Sequence, residues 1–177
     1  MTTVGVRLVL ATLVIFFTLA AANAFADDLT KGHMVPLGDQ AIADASAKAQ
    51  ANVDQFLAKM FNPPAGTSGF SVKIGIVDQG SGFALTKDTS VNAVEFFWIL
   101  KIVPSGDGFT GVLADTPETV KNISAGQSLR FKKSDIFDWM YFDNGKMVGN
   151  FTACPVLKAG PIEDLKSFEQ QTGMVCE

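Results

Sequence analysis

The chain has 177 residues, a formal net charge of −4, 47% hydrophobic residues, a single histidine and two cysteines. That length suits one ordinary domain behind an export leader. The acidic balance, with no Lys/Arg cluster beyond Lys132-Lys133, argues against nucleic acid or anionic lipid as a partner, and the histidine and cysteine counts exclude the usual triad and zinc chemistries.

Met1 to Ala26 reads as a targeting segment. Arg7 is its positive charge, Leu8 to Leu19 its apolar run, and Ala24-Phe25-Ala26 a small-residue cleavage site, so cleavage is expected after Ala26. Losing Arg7 takes the net charge from −4 to −5. No cysteine follows the apolar run to be lipidated, and a single arginine is not a twin-arginine signal. The mature chain is therefore expected in the periplasm or the medium, with no membrane attachment after cleavage. Residues 27–38 show no periodicity and are expected to form a flexible arm carrying His33. Residues 39–177 are expected to form a single domain.

Asp39 is placed to cap a helix running to about Phe61, with Ile42, Ala45, Ala49, Val53, Phe56, Leu57 and Met60 at helical spacing. Asn62-Pro63-Pro64 ends it. Phe70 to Asp78 alternates, with Phe70, Val72, Ile74 and Ile76 facing a core and Ser71, Lys73 and Gly75 facing away, which predicts a half-buried strand. Gln79 to Gly82 is a turn. Ala93 to Val103 is apolar on both faces apart from Glu95 and Lys101 and suits a central strand; Pro104 to Gly108 turns the chain into a short strand, Phe109 to Ala114.

Thr116-Pro117-Glu118 has the chemistry of a helix start. Gln127 to Phe131 alternates again. Asp135 to Thr152 reads as a β-hairpin closed by Asn144-Gly145, because both central residues of a type I′ turn need positive φ. That turn sets Asp143 opposite Lys146, Phe142 opposite Met147 and Tyr141 opposite Val148. Met140, Phe142, Met147 and Phe151 then share one face, assigned to the core, while Trp139, Tyr141, Asp143, Lys146, Val148 and Asn150 share an outward one. The strand continues through Val156-Leu157. Pro161 opens a last helix to about Gln171, stopped by Gly173. The whole predicts an α+β fold: a curled, mostly antiparallel sheet of five to six strands packed with an N-terminal and a C-terminal helix. Two cysteines in an oxidising compartment predict one disulfide, Cys154 to Cys176. It would tie the post-hairpin strand to the C-terminus and close a loop of about 23 residues, for about 3 kcal/mol on the chain-entropy model.

Candidate chemistry rests on carboxylates. Glu95 with Asp135 or Asp138 could in principle serve a carboxylate-based hydrolase, which needs two such groups about 5–10 Å apart around a cleft. The plainer reading has Asp135 capping a turn and Glu95 paired with a cation. No catalytic residue, cofactor or metal is assigned.

The run Glu95-Phe96-Phe97-Trp98, then Gly106-Asp107-Gly108-Phe109-Thr110-Gly111, Gly126-Gln127, and finally Asp135 to Trp139 with Gly145 to Thr152 resembles the YegJ-like bacterial family, domain of unknown function 2314. The resemblance covers about Phe70 to Leu157 and implies a bacterial exported or cell-associated α+β domain; it carries no activity or catalytic residues. In the family pattern a histidine commonly follows the glutamate, where this chain has Phe96, so any Glu-His chemistry would be missing. Related domains are proposed as toxin immunity proteins. The expectation is a non-catalytic binding module that contacts an unknown protein or envelope component, toxin neutralisation being one version of that role. Its binding residues would be Glu95, Trp98, Asp138, Trp139, Tyr141, Lys146 and Asn150.

Overall fold

The computed structural model describes residues 39–89 and 94–176, so the leader, the arm with His33, and Ala93 lie outside the described residues. Helix α1 (Gln40–Phe61) starts where the sequence places it. The Asp39 carboxylate accepts the N–H groups of Ala41 and Ile42, satisfying two of the helix's orphan donors. Ile42, Ser46, Ala49, Val53, Phe56 and Leu57 form its buried stripe.

Seven strands follow: β1 (Thr67–Gln79), β2 (Gly82–Thr86), β3 (Glu95–Ser105), β4 (Gly108–Leu113), β5 (Ser128–Phe131), β6 (Ile136–Asp143) and β7 (Lys146–Gly149), with a single 3-10 turn, Lys133–Asp135, before β6. Two short helices close the chain, α2 (Ala153–Ala159) and α3 (Ile162–Thr172). All six pairings are antiparallel, in the order β5-β4-β3-β1-β6-β7, with β2 on β1. The α+β class and the helices at both ends agree with the sequence reading. The strand count is seven because Gly82–Thr86 pairs back on β1 across the Gly80-Ser81 turn, a strand whose alternation is too short to stand out.

β1 is the centre of the sheet. It pairs with β3 over Val72–Ile76, with β6 over Thr67–Ile74 and with β2 over Gly75–Gln79. Since β3 already occupies one edge at Gly75 and Ile76, β6 and β2 follow one another along the other. The main core lies between the sheet and α1, where Val72, Ile74, Ile76, Phe97, Ile99 and Trp139 meet Ala49, Val53, Phe56 and Leu57.

Four sequence expectations are corrected. The far face of β1 is not solvated: Ser71 and Gly75 are buried and Lys73 is partly buried. Thr116-Pro117-Glu118 starts no helix, because the N–H groups of Glu118, Thr119 and Val120 donate to the Glu95 carboxylate instead of leading into a helical turn. The segment after the hairpin is helix α2, not strand, since Asn150 turns left-handed (φ 49) and the chain leaves the sheet at Thr152. The disulfide Cys154–Cys176, with Cα atoms 5.3 Å apart, therefore joins a helix to the tail beyond α3.

The fourth correction concerns the hairpin. Its register is as read, with Met140–Gly149, Tyr141–Val148, Phe142–Met147 and Asp143–Lys146 opposed. Its faces are reversed. Trp139 (5% exposed) and Tyr141 (3%) point into the α1 core, and Met140 and Phe142 are only half-buried. Trp139 stacks on Phe56 at 4.9 Å and donates its Nε1–H to the Ala49 carbonyl at 2.8 Å, and Lys59 donates to the Tyr141 hydroxyl at 2.9 Å. With their polar atoms satisfied by the helix, these amphipathic rings need no water. Met147 is buried as expected. Phe151 also reaches the core, but on Trp139's side (edge-on, 5.3 Å), because the left-handed Asn150 breaks the alternation.

Candidate functional site

Antiparallel pairing sets three side chains in a row across the sheet face turned away from α1. Lys73 of β1 stands opposite Asp138 of β6 on one side and Trp98 of β3 on the other. Side chains from the chain ends of neighbouring strands complete the group: Asn150 and Thr152 beyond β7, and Asp115 beyond β4.

Hydrogen bonds link them. Lys73 donates to Thr152 Oγ1 at 2.8 Å and to Asn150 Oδ1 at 3.3 Å, and its ammonium lies 4.6 Å from the centre of the Trp98 ring. Thr152 passes its own hydroxyl hydrogen to Asp138 Oδ2 at 2.7 Å and donates its N–H to the same oxygen at 2.8 Å. Asp138 Oδ1 accepts the Trp139 N–H at 2.8 Å. Burial pushes the Asp138 carboxyl above its ordinary range, opposed by the charge of Lys73 and the bonds from Thr152 and Trp139. Burial likewise lowers the Lys73 ammonium, opposed by Asp138 and Asp115.

Asp115 is the strained member. Its Oδ2 accepts the Trp98 N–H at 2.8 Å, while its buried Oδ1 has no partner among the described residues. Burial raises its carboxyl to about 6, against the Trp98 hydrogen bond and the charge of Lys73, with Glu95 adding to the rise.

The candidate carboxylates of a hydrolase are all engaged elsewhere. Glu95 (1% exposed) takes three backbone N–H groups of the loop after β4, at 2.8, 3.0 and 3.0 Å, in place of the expected cation, and has no ion pair among the described residues. Asp135 accepts the Lys132 N–H at 2.7 Å and caps the 3-10 turn, which agrees with the plainer reading. Asp138 holds Thr152 and Trp139. Each carboxylate fixes backbone, and acid–base work needs a carboxylate oxygen within reach of a substrate proton.

Of the seven predicted binding residues, Trp98, Asp138 and Asn150 come together around Lys73. Trp139 and Tyr141 lie in the α1 core, Glu95 holds the loop after β4, and Lys146 is exposed on β7. Lys73, Asp115 and Thr152 lie outside the set expected from sequence. The signal for Lys73 was present: a lysine between apolar strand residues, opposite Asp138 once β1 and β6 are paired. A separate concavity of 390 Å³ between α1 and the end of β2 is lined by Ser46, Gln50, Lys87, Thr89 and Phe137 among others, and none of the predicted site residues borders it. Among the described residues no cluster suits a metal ion, and no helix is long and apolar enough to cross a membrane.

An antiparallel sheet backed by α1, with a lysine-centred polar row on its other face, defines an α+β domain without an assembled catalytic set among its candidate carboxylates. A family model described as "Uncharacterized protein conserved in bacteria (DUF2314)" matches residues 39–175, and the chain belongs to that family. It is also 32% identical over 158 residues to the "Uncharacterized protein YegJ" of Escherichia coli (strain K12), covering 89% of this chain and 92% of that protein. No solved structure matches.

Proposed function

We infer that this chain is an exported, non-catalytic binding module of the bacterial envelope, acting in the periplasm or after secretion through contact with another protein. The disulfide is compatible with an oxidising compartment, and the leader motif supports export. The observation that carries the binding reading is a pair of apolar side chains left in water on the sheet face turned away from α1. Leu100 (38% exposed) and Val103 (55%) share that face, opposite Val112 and Thr110 of β4. Clustered exposed apolar groups mark contact surfaces more often than single ones do. Engagement of Glu95, Asp135 and Asp138 by backbone N–H groups supports the non-catalytic half of the reading.

The test is affinity capture from an envelope extract of the producing bacterium on the immobilised mature protein, with an unrelated exported domain as control. A protein retained by this chain alone, identified by mass and rebound in purified form, supports the reading; a toxin would appear here as one class of partner. No specific protein in the eluate overturns it.

A further inference from the structure

Strands β1 and β3 part company halfway along. Their ladder runs from Ile76–Glu95 to Val72–Ile99 and stops, although β1 continues back to Thr67 and β3 onward to Ser105. Had the register continued, Phe70 would face Lys101 and Gly69 would face Ile102. Left-handed residues stand at this point on both strands, Gly69 (φ 66) and Lys101 (φ 52). For a lysine that conformation costs about 1–2 kcal/mol. The pairing of β3 with β4 slips at the same place, between Leu100 and Val103. Beyond the fork, among the described residues, each strand keeps only its outer neighbour, β6 for β1 and β4 for β3. The facing positions Ser68, Gly69, Lys101 and Val103 are exposed.

An open strand edge asks for another strand, because its N–H and C=O groups project at fixed spacing. Side chains beside this edge add an apolar demand. Leu100 and Val103 lie on one face, with Val112 and Thr110 opposite them on β4, and on the other face Phe61 stacks on Phe109 at 5.9 Å. The charge around it is positive within an acidic protein. Lys101 has no carboxylate partner among the described residues, and Arg130 and Lys132 share the single carboxylate of Asp107, at 2.9 and 3.0 Å. Arg130 stands opposite Thr110, which stands opposite Val103, so it borders the same face. Pro104, lacking an N–H, limits regular pairing to the residues before it.

We propose that the fork between β1 and β3 docks an extended, acidic segment of a partner protein, which adds as a strand along Lys101–Val103, seats apolar side chains against Leu100 and Val103, and sets a carboxylate against Lys101. This mode of recognition takes affinity from main-chain bonds and specificity from alternate side chains. The proposal rests on the binding reading above and locates its surface.

The probe is a pool of fluorescein-labelled nonapeptides alternating Val, Ile or Leu with Thr and carrying one Glu or Asp, titrated into the mature protein by anisotropy. Expected are saturable binding, slowed amide exchange at Lys101, Ile102 and Val103, and at least a tenfold loss of affinity when alternate peptide nitrogens are methylated. Val103→Glu should cause a similar loss; its far-ultraviolet spectrum checks folding, and the methylated peptides test the same point without altering the protein. No binding, binding indifferent to methylation, or protection confined to other strands overturns the proposal. So does a dimer by sedimentation that Val103→Glu dissolves, which would make a second copy the occupant. Capture of a specific partner that survives Val103→Glu removes this site and leaves the binding reading standing; failed capture by the wild type removes the reading itself.

Discussion

Asp115 carries an energetic tension that a single substitution can expose. Its carboxyl is raised from an ordinary 3.8 to about 6, so its proton is held more tightly in the folded than in the unfolded chain. The stability this contributes is complete below pH 3.8 and is lost as pH rises through about 6. Asp115→Asn keeps an acceptor for the Trp98 N–H and removes the buried charge. It should leave unfolding free energy nearly unchanged at pH 3.5 and raise it at pH 8, by at most about 3 kcal/mol, as read from urea denaturation at the two pH values. Equal effects at both would show that the charge is not the cause. Removing the Asp138 carboxyl should cost stability instead, because its oxygens hold the Thr152 and Trp139 N–H groups beside the Lys73 ammonium. Asp138→Ala is expected to cost about 3–5 kcal/mol at pH 7 in the same assay. The sequence marked Asp138, Trp98 and Asn150 by residue type, but Lys73 read as the solvated half of an alternating strand. Only the pairing of β1 with both β3 and β6 brings it among them, and no local pattern encodes that adjacency.

At the scale of elements, capping and turn chemistry proved readable and sidedness did not. Asp39, Pro63-Pro64 and Gly173 bound their helices, and Asn144-Gly145 sets the β6–β7 register. Each is a local device that acts through its own backbone. Which face of the hairpin turns inward depends on α1, far away in sequence, whose Phe56 ring and Ala49 carbonyl receive Trp139. Thr116-Pro117 shows the same limit, since its helix-start chemistry loses to the buried Glu95 carboxylate. Trp139→Ala should accordingly behave as a core truncation and cost about 3–5 kcal/mol in denaturant unfolding. A loss under 1 kcal/mol would return Trp139 to the surface role read from sequence.

For the molecule as a whole, the disulfide binds helix α2 to the tail beyond α3, and neither cysteine lies in a strand. The double variant Cys154→Ser, Cys176→Ser should lose about 3 kcal/mol of stability on the chain-entropy model. Amide exchange should quicken in α2 and α3 more than in β1, β3 and β6; uniform acceleration would contradict the sheet's independence of the bridge. Fold class and helix placement were legible because periodicity reports them directly. The strand order was not, since it joins segments remote in sequence.

The position of β1 has a temporal side. As the chain emerges N-terminus first, β2, β3 and β4 can all assemble on or beside β1, yet its remaining edge waits for β6, which arrives only after β5 and the 3-10 turn. Such distant pairing folds slowly. Until Ile136–Asp143 is available, a nascent or truncated chain presents Val72 and Ile74 beside an open ladder that any stray strand could claim. A chain cut before Ile136 should therefore aggregate, and a chain released whole has its most vulnerable seam sealed by the last hairpin of the sheet.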